Sequence, residues 1–171
     1  MRLCAFLLAT VLVGVFPACA DPRGTTSRSS QKQPLVPNFK LQNLAGKSVQ
    51  LADFKGKVVL LDFWATWCGP CRLSIPNLIN LHREYASQNL VILGINMDED
   101  PQEVAAFVKD MGIDYPVLLD RGNAISASFG VRGIPFFCLI DQKGRLVKQW
   151  EGITFTIEKE WRQAIDQLLK K

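Results

Sequence analysis

The sequence predicts an α/β fold in which a central mixed sheet carries helices on both faces, with an N-terminal β-hairpin extension. Three observations predict it. Two nearly continuous apolar runs, Lys57 to Trp64 (KVVLLDFW) and Leu90 to Met97 (LVILGINM), have the pattern of strands buried on both faces. A stretch with helical character follows each of them. The chain then closes with two strand-like runs, a tight turn between them and an amphipathic helix, so its halves read β-α-β and β-β-α.

Taken in order, Phe39 to Leu51 alternates apolar and polar residues around Ala45-Gly46, which suggests a hairpin. Lys57 to Trp64 leads into Cys68-Gly69-Pro70-Cys71 and a helix-like stretch to about Gln88, with a kink expected at Pro76. After the second apolar run, Pro101 to Met111 reads as a helix with Pro in its first turn and Glu103 near its positive end. Tyr115 to Leu119 reads as a short strand and Asn123 to Phe129 as a short helix. Phe136 to Ile140 and Arg145 to Glu151 are strands joined by the turn Asp141-Gln142-Lys143-Gly144. Glu158 to Leu169 sets Trp161, Ile165, Leu168 and Leu169 at helical spacing.

A length of 171 residues with 48% hydrophobic residues suits one domain and an export segment. The net charge of +4 is spread without a basic run, which argues against nucleic-acid binding. Arg2, the apolar run Leu3 to Phe16 and the small residues around Ala18-Cys19-Ala20 have the layout of a secretory signal over residues 1–20. That run is too short to span a bilayer comfortably. Cleavage after Ala20 removes Cys19 with the signal. Cleavage before Cys19, as in a lipoprotein signal of residues 1–18, leaves that cysteine for acylation. Phe16 and Pro17 depart from the residues usual before a lipidated cysteine, and both readings stay open. Residues 21–33, rich in Ser, Thr, Arg and Gln, read as a flexible tether to a domain over residues 34–171.

Of five cysteines, Cys4 and Cys19 fall in the signal region, leaving Cys68, Cys71 and Cys138 in the domain. An odd number argues against a purely structural disulfide framework, and a close pair with one spare fits redox chemistry. Cys-x-x-Cys spacing at a helix start brings both sulfurs within bonding reach. Cys68 lies nearer the helix N-terminus, where free N–H groups favour a thiolate, so it is the expected nucleophile and Cys71 the resolving thiol. Asp62, a carboxylate inside an apolar strand, is a candidate base for Cys71, its pKa raised by burial. A core Asp held by backbone or hydroxyl donors is the equal alternative.

The same two thiols suit half of a zinc site or a copper-binding pair. A structural zinc needs four ligands, and besides the pair the domain offers Cys138, His82 and scattered carboxylates. His82, in LINLHREY, reads as a surface or partly packed helix residue, and Cys138, in FFCLI, as a small buried hydrophobe. No metal, and no cofactor beyond a redox-active Cys68–Cys71 disulfide, is expected.

The segment LDFWATWCGPC resembles the active-site segment of the thioredoxin superfamily, and the likeness continues through VILGINMD and GIPFFCLID to the final helix, covering Leu35 to Lys170. The resemblance implies a thioredoxin-like fold with Cys68 and Cys71 as the redox pair around Gly69 and Pro70. It implies Trp67 as the aromatic that shields the pair and Asp62 as the buried carboxylate that deprotonates Cys71. Pro135 takes the place of a cis-proline opposite the cysteines, and the backbone of Ile134 the place that pairs with an incoming polypeptide.

Within that superfamily the signal, the tether, the hairpin and the stretch NMDEDPQEVAAFVKDMGIDYPVLLD resemble the exported TlpA and ResA type of AhpC/TSA-redoxin domain. Members reduce apocytochrome c or other exported proteins and take electrons from a membrane thiol reductase. The resemblance therefore implies disulfide-containing exported proteins as partners, a periplasmic location or one on the outer face of the cell membrane, and a monomer. The chain departs from that type at Ser74, where several members carry Glu, and in keeping Asp62. It departs from cytosolic thioredoxins at Gly94, where a Lys near the buried Asp is common; without that cation Asp62 is expected to titrate higher. A peroxidase of this fold needs Thr or Ser three residues before its cysteine and Pro four before that, and Ala65 and Leu61 stand there. A copper chaperone or a haem-handling protein is the alternative outside enzymes. The Gly-Pro spacer and Asp62 resemble reducing members, so a reductase is expected.

Overall fold

The computed structural model describes residues 34–170, and the expected signal, Cys19 and the tether lie outside that range. Its strands are β1 (Lys40–Asn43), β2 (Ser48–Gln50), β3 (Val58–Trp64), β4 (Leu90–Asn96), β5 (Val117–Leu119), β6 (Phe136–Ile140) and β7 (Leu146–Glu151). Its α-helices are α1 (Gly69–Tyr85), α2 (Pro101–Met111), α3 (Ala124–Ser128) and α4 (Ile157–Leu169). The strands form one sheet in the order β2-β1-β5-β4-β3-β6-β7. β3, β4 and β5 run parallel, while β6, β7 and the β1–β2 hairpin pair antiparallel, so the sheet is mixed as the sequence predicts.

β3 is buried along its whole length, which is why it reads as an unbroken apolar run. Alternation along the strand sends Leu60 and Trp64 to one face and Val59, Leu61 and Phe63 to the other. The first face carries a core built with Cys71, Ile75 and Leu78 of α1, Val104 and Phe107 of α2, and Trp161 and Ile165 of α4. The second packs against Phe39, Leu51 and Phe129, with Ile125 of α3 at its margin. Three helices thus cover one face and the short α3 the other. α4 docks through Ile157, Trp161, Ile165 and Leu168, each burial contributing about 1.5–3 kcal/mol. The Trp161 indole meets Phe137 edge-on at 4.6 Å.

Local chemistry sets the ends. α2 starts with Asp100 accepting from Gln102 N–H at 2.8 Å, with Pro101 in the first turn, and stops at Gly112, whose φ of 65° suits a left-handed cap. α1 passes through Pro76, whose ring removes the bond to the Arg72 carbonyl. It ends at Tyr85, short of the expected Gln88, because the chain turns there, with Asn89 at φ 61° before entering β4. β5 begins at Val117 and not at Tyr115, since Pro116 has no N–H to give; its carbonyl instead accepts from Gly94 N–H at 2.9 Å. Among the described residues no helix is long and apolar enough to cross a membrane. A cavity of about 320 Å³, lined by Leu51, Phe54, Val59 and Ile140 among others, opens at the end of β3 remote from the cysteines.

Candidate active site

β3 delivers its C-terminal end to the loop Ala65 to Trp67, and α1 begins immediately beyond it. Cys68 is the N-cap of α1, with Gly69 and Pro70 opening the helix. Pro70 has no N–H to leave unpaired there. The Cys68 sulfur accepts from the Cys71 N–H at 3.2 Å, which is the place an N-cap side chain normally takes. Cys68 and Cys71 are joined by a disulfide, with Cα atoms 5.3 Å apart. Cys71 is fully buried and Cys68 is only 4% exposed, so attack on the pair is confined to one narrow side. When the pair is reduced, the same N–H and the positive end of α1 favour the thiolate of Cys68 over that of Cys71.

Asp62 shares its face of β3 with Leu60 and Trp64, beneath the helix that carries Cys71. It is completely buried, and burial pushes its carboxyl up to about 7, with a hydrogen bond from the Tyr115 hydroxyl acting in the opposite direction. That bond reaches Oδ2 at 3.3 Å, while Oδ1 has no partner among the described residues. A hydroxyl does donate to this core Asp, as one of the two readings open from sequence has it, but it serves one carboxyl oxygen only, which leaves the base reading open as well. The expected upward shift is found, and Tyr115 supplies the partner that the sequence reading missed. Its only sequence signal was a hydroxyl-bearing aromatic before Pro116, where an aliphatic strand residue would have sufficed.

A second polar group holds the cysteine loop. Asp98, buried just beyond β4, accepts from Thr66 N–H at 2.8 Å and from Asn96 Nδ2 at 2.7 Å. The Thr66 hydroxyl lies within reach of Asp98 Oδ1 at 3.1 Å and Glu103 Oε1 at 2.9 Å, and its single proton serves one of them at a time. Arg72 donates to the Thr66 carbonyl at 3.1 Å and lies over the Phe107 ring. None of these residues was singled out from sequence for the site; Glu103 was read only as a helix-end charge.

The peptide bond between Ile134 and Pro135 is cis. β6 starts one residue later and pairs Phe136 with Phe63 of β3, so the Ile134-Pro135 loop leaves the same end of the sheet as the cysteine loop. Ile134 packs against the core that contains Cys68 and Cys71. The Pro135 carbonyl accepts from Gly152 N–H at 2.8 Å. Trp67 is 71% exposed beside the buried pair. Ser74 is buried and donates to the Cys71 carbonyl at 3.0 Å, so no carboxylate stands at that position. Cys138 pairs with Leu61 and belongs to the core on the other face of the sheet, away from the redox pair. Burial pushes its thiol up to about 11, which makes it an inert hydrophobe. His82 sits on α1 with its ring edge-on to Tyr115 at 6.2 Å.

A disulfide at the N-terminus of a helix, on a mixed sheet of this order, defines the thioredoxin-like disulfide oxidoreductases. Comparison with known proteins carries the assignment further. Residues 30–158 match the Redoxin family model, and the chain belongs to that family. It is 35% identical over 136 residues to the thiol-disulfide oxidoreductase ResA of Bacillus thuringiensis subsp. konkukian, covering 80% of this chain and 75% of the relative. It is 38% identical over 117 residues to the ResA of Bacillus subtilis, covering 68% and 65%. Among solved structures, a thioredoxin-family thiol:disulfide interchange protein of Chlorobium tepidum superposes with a TM-score of 0.72 at 27% identity, covering 81% and 97%. A structure from the same organism named for DsbE gives 0.77 at 31%, covering 80% and 96%. The protein is a thiol–disulfide oxidoreductase.

Proposed function

We propose that this protein is a reductase of disulfides in exported proteins, with apocytochrome c one candidate substrate. The Cys68 thiolate attacks a substrate disulfide, forming a bond to one substrate sulfur while the other leaves as a thiolate. Cys71, its proton passed to Asp62, then attacks the Cys68 sulfur and releases the second substrate sulfur as a thiolate. The substrate has gained two electrons and the protein holds the Cys68–Cys71 disulfide. A membrane thiol reductase returns the pair to the dithiol. Trp67 and the Ile134-Pro135 loop form the shelf on which the substrate chain lies, with Gly69 and Pro70 keeping the helix start uncluttered. The protein works as a monomer outside the cytoplasm after export directed by its first 18–20 residues, with Cys19 acylated or removed with the signal, and residues 21–33 as a tether. It needs no cofactor other than its own disulfide.

The observation that carries this reading is the placement of Cys68 as N-cap, accepting the Cys71 N–H, above a core in which β3 buries the Asp62 carboxyl. Insulin reduction tests it. The domain is expected to turn over insulin, Cys68→Ser to abolish turnover, and Cys71→Ser to accumulate the mixed disulfide. Failure of the unsubstituted domain to reduce insulin, with binding of one equivalent of copper, overturns the enzyme reading. Direction is tested by the reduction potential, expected nearer about −270 mV than about −120 mV; a value above about −180 mV overturns the reductase.

A further inference from the structure

The Tyr115 hydroxyl is buried, and among the described residues its one hydrogen-bond partner is a carboxylate oxygen of Asp62, 53 residues away in sequence. We propose that Tyr115 is a positioning residue of the cysteine site, donating a hydrogen bond to Asp62 Oδ2 so as to orient that carboxyl and stabilise its ionised form. The inference rests on the reading of Asp62 as the acceptor of the Cys71 proton, and deepens it.

Several features make the contact specific. Gly94 pairs in register with Asp62, and a Cβ placed on it would meet Trp64 Nε1 at 2.8 Å and Tyr115 Cε2 at 3.2 Å. The phenol ring thus fills the space that a side chain on β4 would otherwise occupy. Pro116 sets the chain direction at the start of β5, and the His82 ring abuts the tyrosine from α1. Tyr115 stays protonated throughout the working range, since burial and the neighbouring Asp62 push its own pKa well up. It is therefore a permanent donor. An isolated carboxylate at this depth would be costly, and one donor lowers that cost without supplying a full charge.

The groups around Asp62 are few. α1 presents Cys71 and, against the Tyr115 ring, His82, while Arg72 is turned to Thr66 and Phe107. The segment before β5 presents Tyr115 with Asp114 beside it. β4 and β6 place Gly94 and Phe137 opposite Asp62, neither of which titrates.

The test is the titration of the Asp62 carboxyl, followed by carbon-13 NMR of the reduced protein, together with the pH dependence of insulin reduction. Tyr115→Phe is expected to move the Asp62 midpoint upward. Turnover on the acid side should fall roughly three- to tenfold and recover at high pH. In an Asp62→Asn background the second change is expected to have no further effect on the profile. Should Tyr115→Phe not fold, fluorotyrosine incorporated in a Tyr85→Phe background leaves Tyr115 as the one labelled tyrosine. The stronger donor is then expected to move the midpoint down. A midpoint unmoved by removing the hydroxyl, or by strengthening it, overturns the proposal. A pH profile that Asp62→Asn leaves unchanged overturns the role of Asp62 itself, and the role of Tyr115 with it.

Discussion

Asp62 on β3 and Gly94 on β4 are paired in register, and the absent side chain of Gly94 is what lets the Trp64 indole and the Tyr115 ring close over the strand beside the carboxyl. A small residue on one strand thereby determines what surrounds a titratable group on the next.

Gly94→Ala is the direct check on that relationship. The new methyl would stand 2.8 Å from Trp64 Nε1, inside contact distance, and the indole is fully buried with little room to retreat. Overpacking of this kind costs about 1–3 kcal/mol. Urea unfolding of the oxidised protein should show a lower midpoint with little change in slope. Equal stability would mean that the space over Gly94 is not closed.

Asp62 should make stability fall as pH rises. Its folded pKa of about 7 lies above the unfolded value of about 3.9. Below about pH 4 both states are protonated and the group costs nothing. Between about 4 and 7 the unfolded state ionises first, and stability is lost until the folded carboxyl also ionises. At about 1.4 kcal/mol per unit, the loss at pH 8 is on the order of 4 kcal/mol. Asp62→Asn removes the charge and keeps the shape. It should match the unsubstituted protein near pH 4 and exceed it by several kcal/mol at pH 8, again by urea unfolding. A variant no more stable at pH 8 would show that Asp62 is solvated better than its burial implies.

These two residues also mark how far the sequence could be read. Apolar runs announce buried strands because both faces of β3 are covered, and the cysteine spacing announces the helix start because an N-cap sulfur and a Pro in the first turn are local features. Gly94 was legible as a departure, but what fills the space beside it was not. Tyr115 comes from a different strand entry, and its contact with Asp62 is made by tertiary packing that no short-range pattern encodes. Thr66 and Asp98, 32 residues apart, were hidden for the same reason.

Asp98 is expected to hold the cysteine loop. Asp98→Ala strands the Thr66 N–H and the Asn96 amide, which lose their acceptor in a buried place. An unsatisfied buried donor costs about 1–3 kcal/mol. Amide hydrogen exchange at Thr66 should quicken beyond what the loss of global stability explains. Exchange at Thr66 that quickens only in proportion to the loss of global stability would place the loop's support in another contact.

Trp67 separates stability from recognition. With 71% of its surface exposed, it contributes little to the core, so Trp67→Ala should change unfolding free energy by no more than about 0.5 kcal/mol. A large aromatic left in water beside a buried disulfide is better explained by what lands on it. If it forms the edge of the shelf for a polypeptide, the variant should raise KM for insulin several-fold while turnover of a small aromatic disulfide, which has no flanking chain to dock, stays within about twofold. Equal losses on both substrates would mean that Trp67 acts on the cysteines themselves, by keeping water from Cys68 or orienting the start of α1, and the docking role would fall.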